Sequence, residues 1–184
     1  DSGATWAAAE NTYLPNYAQN QNIRLRFSVR NSSLAPLSEN LRLQYAAKLA
    51  SPNCESVPTG NYADVPTTSG GCSGAAACMT TSSQFAKSSS TQLLTFPNNY
   101  SFTQAQILED PNNQTDAISL LASAFTEVEY NFQMTSSASL DRYCFRTTNA
   151  GTALDNYTRV AEIQVLHPPT LSNFSFNQNA NIAL

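Results

Sequence analysis

The chain is 184 residues long, enough for one domain with a substantial core and short for two. Only 12% of residues are charged, about half of the ~25% usual for a soluble domain, and the formal net charge is −4, so a nucleic-acid partner, which needs clustered Lys and Arg, is excluded. No run approaches the ~20 apolar residues that span a bilayer as a helix, and hydrophobic content of 41% argues against a disordered chain.

The charge deficit is filled by Asn, Gln, Ser and Thr, which make a wet surface with little like-charge repulsion between copies. Along the chain, period-two alternation is the dominant pattern. Ile23, Leu25, Phe27 and Val29 alternate with Arg24, Arg26, Ser28 and Arg30, predicting a strand with one apolar and one cationic face. Leu41, Leu43 and Tyr45 alternate with Arg42 and Gln44 to predict the next. Turn formers such as Asn31-Ser32-Ser33 and Ser51-Pro52-Asn53 bound these runs.

The cysteines Cys54, Cys72, Cys78 and Cys144 form an even set with no C-x-x-C and no Cys/His cluster. That set suits an oxidising compartment and disfavours zinc. Three connectivities are open. Cys72 and Cys78 flank Ser73-Gly74-Ala75-Ala76-Ala77, a run easily closed into a local bridge. Cys54 and Cys144 would then form a long-range staple, worth on the order of 4 kcal/mol in the loop-entropy model.

Asp110, Asn112, Gln114 and Asp116 have the alternating spacing of a calcium loop. Thr115 replaces its sharp-turn Gly and Leu121 its bidentate Glu, so a polar turn is expected and no metal ligand is assigned. Residues 115–125 fit a helix, a buried strand or a loop, and we expect a loop leading into a strand. Val128, Tyr130, Phe132 and Met134 alternate with Glu127, Glu129, Asn131 and Gln133. If this strand neighbours 22–30, Arg24 and Arg26 pair with Glu127 and Glu129 for a few tenths of a kcal/mol each. Separate solvated faces are the equal alternative. Tyr143 and Phe145 interleave with Arg142, Cys144 and Arg146, and Ala161, Ile163 and Val165 with Glu162 and Gln164. His167-Pro168-Pro169 then stops the pattern, because proline cannot donate to a sheet ladder.

Catalytic groups are sparse. His167 is the lone histidine and sits beside two prolines, and Gly71-Cys72-Ser73-Gly74 lacks the spacing of a nucleophile turn. Glu127 and Glu129 share one strand face, as paired carboxylates of a glycosidase can, but a solvated strand face is the expectation. No catalytic residue and no cofactor are assigned. Sequons begin at Asn31, Asn99, Asn113, Asn156 and Asn173, and suit a glycosylated exposed protein.

Five segments carry a resemblance: Ala4-Thr5-Trp6-Ala7-Ala8-Ala9-Glu10-Asn11-Thr12, Ile23–Phe27, Leu41–Ala46, Phe125–Tyr130 and Tyr143–Gly151. Together they resemble the uncharacterised β-sandwich domain of large secreted cell-surface proteins of uncultivated environmental bacteria, over about residues 4–166. The resemblance implies an exported, non-catalytic surface module with no catalytic residues to transfer. In relatives a Trp-containing strand precedes the first segment and Ig-like domains follow. Asp1 begins without that strand, Cys72 and Cys78 look like an added loop, and residues 170–184 look like the opening of a further strand.

The expected architecture is an all-β, antiparallel β-sandwich, Ig-like or jelly-roll-like, with disulfides. It spans 1–167 and is followed by a strand-like tail, 168–184, that is donated to a neighbouring subunit or starts a next domain. The expected function is a structural subunit of an extracellular filament, pilus-like fibre or cell-surface assembly whose partners are copies of itself. Leu171, Phe174, Phe176, Ile182 and Leu184 would be the self-association residues. The alternative is an adhesin or carbohydrate-binding module taking surface glycans on Trp6, Tyr13, Tyr17 or Tyr100.

Overall fold

The computed structural model describes residues 7–84, 88–93 and 99–166. Trp6, His167, Asn173 and the tail residues Leu171, Phe174, Phe176, Ile182 and Leu184 lie outside these described residues. Among the described residues eleven strands are formed: β1 Leu14–Ala18, β2 Asn22–Arg30, β3 Leu37–Glu39, β4 Leu41–Ala47, β5 Ala63–Asp64, β6 Ala77–Met79, β7 Ser101–Leu108, β8 Ile118–Leu120, β9 Ala124–Met134, β10 Arg142–Asn149 and β11 Ala161–Leu166. Two 3-10 turns, Cys54–Ser56 and Thr59–Asn61, are the helical elements among the described residues. Each of the five alternating runs falls within one strand (β2, β4, β9, β10 and β11), and 115–125 resolves into loop, short strand and turn.

The first sheet has the order β1-β11-β10-β4-β5. In the second, β9 is central: β2 runs along one edge, and β7 and β6 share the other. A ribbon of β3 and β8 stands apart. The sheets are mixed, which corrects the antiparallel expectation: β1 runs parallel to β11, and β7 parallel to β9. Alternation reports which side chains face a core, not the direction of the neighbouring strand. The excursion of 109–123 between β7 and β9 is long enough for the crossover that parallel pairing requires.

The inner face of β9 carries Val128, Tyr130, Phe132 and Met134, all fully buried. It meets the inner face of β10, where the Phe132 and Phe145 rings lie 4.7 Å apart and the Tyr130 and Thr147 hydroxyls are 2.8 Å apart. Leu41, Leu43, Ile163 and Val165 complete this core from β4 and β11. These contacts also set polarity: β9 and β10 run in opposite senses across the core. Strands β4, β9 and β11 therefore finish at one end of the molecule, the Lys48 end, and β2 and β10 finish at the other, the Asn31 end.

A second finding departs from expectation. The outward faces of β9 and β10 are not solvated: Glu127, Glu129 and Asn131 are at most 2% exposed, and Cys144, Arg146 and Thr148 at most 4%. Over β10 lies the 48–62 loop, held by a disulfide between Cys54 and Cys144, with Cα atoms 5.4 Å apart. Beneath it Ala46, Cys54, Val57 and Cys144 form a small core with Tyr62 and Val160. Cys72 and Cys78 close the second disulfide, so the pairing favoured by loop length is the one in the structure.

Phe132→Ala should remove about 3–5 kcal/mol of stability, because it empties the contact between the two inner faces. Urea unfolding followed by tryptophan and tyrosine fluorescence measures it. A loss under about 1 kcal/mol would mean that the two faces do not pack as described.

Candidate functional site

Three groups of side chains merit chemical scrutiny. The first is the ion cluster on the outer face of the β2–β9 pair. Register sets Arg26 opposite Glu129, Arg24 opposite Asn131 and Ser28 opposite Glu127. Glu129 takes both guanidinium groups, and Arg26 also donates to Glu127 Oε2 at 2.6 Å. Arg26 Nη1 donates to the Gln92 carbonyl at 2.7 Å and Thr91 Oγ1 to the Glu127 carbonyl at 2.7 Å, tying segment 88–93 to the cluster. The cross-strand pairing expected from the alternation is thus formed, but buried. Burial pulls Arg26 below the ordinary guanidinium range, and the hydrogen bond and charge of Glu127 push it back up. A glycosidase pair needs one protonated carboxyl and room for a sugar between the two. Here arginines engage both carboxylates, and neither is reachable from solvent.

The second group lies on the outer face of β4 and β10. Arg146, 4% exposed, stacks 3.8 Å above the Tyr62 ring and 5.6 Å from that of Tyr157. Its Nε and Nη2 donate to Gln44 Oε1 at 3.2 and 2.9 Å. Gln44 Nε2 in turn donates to Asp64 Oδ1 and the Gly151 carbonyl, and Asp64 pairs with Arg42 at 2.6 Å. Cation–π contact and a relay through one amide thereby hold a buried positive charge without a carboxylate in direct contact. Burial pushes the Tyr62 hydroxyl up to about 12, against the opposing pull of Arg146.

The third group is the oxygen-rich loop. Asp110 accepts from the Thr68 amide and hydroxyl, Gln114 from Arg42, and Asp116 from Gln106. The spaced oxygens therefore point to separate protein partners. Among the described residues no group of three His, Cys, Asp or Glu is placed to hold a metal ion. Asn113 has a different task. Its side-chain amide accepts from the Leu43 N–H at 3.0 Å and donates to the Leu43 carbonyl at 3.0 Å, pairing with the β4 edge as a peptide group would.

That contact bears on the sequons. Asn113 Nδ2 is engaged, and Asn31 is 1% exposed with its Nδ2 shared among the Ala35, Leu120 and Leu121 carbonyls. A glycan on either nitrogen would displace these bonds, whereas Asn99 and Asn156 are exposed. The candidate aromatic platform is likewise divided. Tyr13 lies under the Arg142 guanidinium at 5.0 Å, and the Tyr17 hydroxyl donates to the Asn22 carbonyl. Tyr100 lies under Arg30 at 5.7 Å, at the opposite end of the molecule.

Two groups of exposed leucines went unmarked by the strand pattern because most of them sit in turns or at strand ends. At the Lys48 end, Leu49, Leu140 and Leu166 line a groove of about 380 Å³ together with Lys48, Asp141 and Arg142. At the Asn31 end, Leu34, Leu37 and Leu121 are exposed around the β3–β8 ribbon. A leucine inside a polar turn, as in Ser33-Leu34-Ala35-Pro36 or Ser139-Leu140-Asp141, was the available signal. Compared with protein families, with characterised proteins and with solved structures, the chain matches none.

Glu129→Ala should cost about 3–5 kcal/mol, since two guanidinium groups lose their shared carboxylate in a buried setting. A loss below about 1 kcal/mol in chemical denaturation would show the cluster to be solvated. A second expectation concerns alkaline pH. A tyrosine whose folded pKa is raised favours folding below its unfolded value near 10, and that contribution is lost as pH rises through the folded value. Stability should therefore fall between about pH 10 and 12 as Tyr62 is stripped of its proton, and Tyr62→Phe should flatten that fall. Absorbance at the phenolate band, read alongside thermal unfolding, tests both.

Proposed function

We propose that this chain is a structural subunit of an extracellular filament or cell-surface assembly, a β-sandwich that binds copies of itself by strand complementation. One observation carries the reading: β11 ends on Leu166 beside a groove in which Leu49 and Leu140 stand among Lys48, Asp141 and Arg142, and the residues next in sequence, 168–184, are uncharged and include Leu171, Phe174, Phe176, Ile182 and Leu184. Seventeen extended residues reach at most about 60 Å, enough to run the length of a neighbouring copy's sheet. The apolar residues spaced through 168–184 suit donation of this stretch as a strand to a neighbour.

The remaining features are those such a subunit requires. Inner faces of the two sheets in contact support the sandwich arrangement. Two disulfides and double cover of β9 and β10 give a stiff body, and disulfides fit an oxidising exterior. Resemblance to secreted surface domains over about residues 4–166 points the same way. Low surface charge lowers the repulsion that would oppose polymerisation.

The test uses the full chain, purified and imaged by negative-stain electron microscopy over a concentration series. The parent should form filaments or long oligomers, and Phe174→Asp with Phe176→Asp should abolish them while leaving the circular dichroism of the monomer unchanged. A parent that stays monomeric at all concentrations, or a double variant that assembles like the parent, overturns strand donation.

A further inference from the structure

Among the described residues seven large apolar side chains are exposed: Tyr13, Leu34, Leu37, Leu49, Leu121, Leu140 and Leu166. Their distribution is not scattered. Leu49 follows the last residues of β4, Leu140 precedes β10 and Leu166 closes β11, so all three stand at the Lys48 end, and Tyr13 lies over Arg142 beside them. Leu34 follows the end of β2, Leu37 opens β3 and Leu121 leads into β9, so these three stand at the Asn31 end. The long flanks of both sheets carry none of the seven.

The two ends also differ in form. One is a concave groove of about 380 Å³. The other projects, with Leu34 99% exposed on a loop that its neighbours hold firmly. Asn31 Nδ2 donates to the Ala35, Leu120 and Leu121 carbonyls, Asn31 Oδ1 accepts from the Ser33 amide, and Ser33 Oγ donates to the Ala35 carbonyl. A leucine on a slack loop would fold back onto the surface. This one is braced outward, and a braced apolar knob loses little entropy on docking.

We propose that the Leu34 end of one copy docks into the Leu49–Leu140–Leu166 groove at the Lys48 end of the next, a head-to-tail contact that repeats along a fibre. The occupant is a second copy because the matching surface lies on the same chain, at the other end and of similar size. On a leucine surface of roughly 170 Å², the exposed fractions leave about 340 Å² on the Leu34 triad and about 280 Å² on the Leu49 triad. One partner in a standard interface contributes about 450 Å² of non-polar area. The two triads therefore supply most of an interface core and leave the rim to polar neighbours such as Lys48 and Arg142. Two different patches at opposite ends make a heterologous contact, which extends without closing unless its rotation forms a ring. The inference rests on the reading that copies self-associate, and names the surfaces that meet.

Sedimentation velocity on the full chain decides it, with Leu34→Asp to blunt the knob and Leu140→Asp to charge the groove. Both leucines are exposed, so each variant should fold, and Leu49→Asp serves if Leu140→Asp does not. Each variant alone should raise the concentration needed for assembly by about tenfold or more. An equimolar mixture of the two should form dimers that do not extend, because one intact knob and one intact groove remain between them. A mixture that stays monomeric, or either variant assembling at the parent's threshold, overturns the head-to-tail contact. If both assemble like the parent while the Phe174/Phe176 variant does not, this contact falls and strand donation stands. If the reverse holds, strand donation falls and the contact stands.

Discussion

Strand β9 is covered on both faces, and most of the structure follows from what that demands. From Val128 to Met134 its even-numbered side chains are apolar and fill the space against β10. Its odd-numbered ones include two glutamates, which cannot lie buried as isolated charges. The neighbour that satisfies them is β2, whose own alternation places arginines on the same face. The register of β2 on β9 is thus held twice, by apolar contact on one side and by ion pairs on the other. A slip of one residue would put both sets on the wrong face.

Strand β10 meets the same problem with a different solution. Its outward residues are a cysteine, an arginine and a threonine, and the 48–62 loop covers them. The Cys54–Cys144 bridge fixes that loop at one point, and the small core under it closes the rest. Arg146 is held beside two tyrosine rings, with Gln44 bridging it to Asp64 by hydrogen bonds. At the β4 edge, where β5 pairs with only two residues, the Asn113 amide stands in for a strand. An edge sealed in this way is a poor template for sideways pairing.

End-to-end contact of the kind proposed above would suit a body that bears tension. Each central strand runs from one end to the other, bonded laterally on both sides. Load applied at the ends is then shared across ladders and the long-range disulfide instead of peeling a single edge.

Much of the fold was legible in the residues themselves. Alternation in 22–30, 41–45, 127–134, 142–146 and 161–165 determined which segments are strands and which side chains face inward, because a strand's side-chain period of two leaves its mark on any half-apolar run. The cysteine pairing was legible too, since a six-residue loop closes readily. Tertiary structure alone decided the direction of β1 and β7 against their neighbours, because backbone pairing leaves no trace in hydropathy. It alone decided that polar faces read as solvated are buried, since a segment distant in sequence does the covering. The two leucine triads likewise exist only in the folded chain: each gathers residues from separate stretches of sequence, and nothing in one stretch records which others will stand beside it.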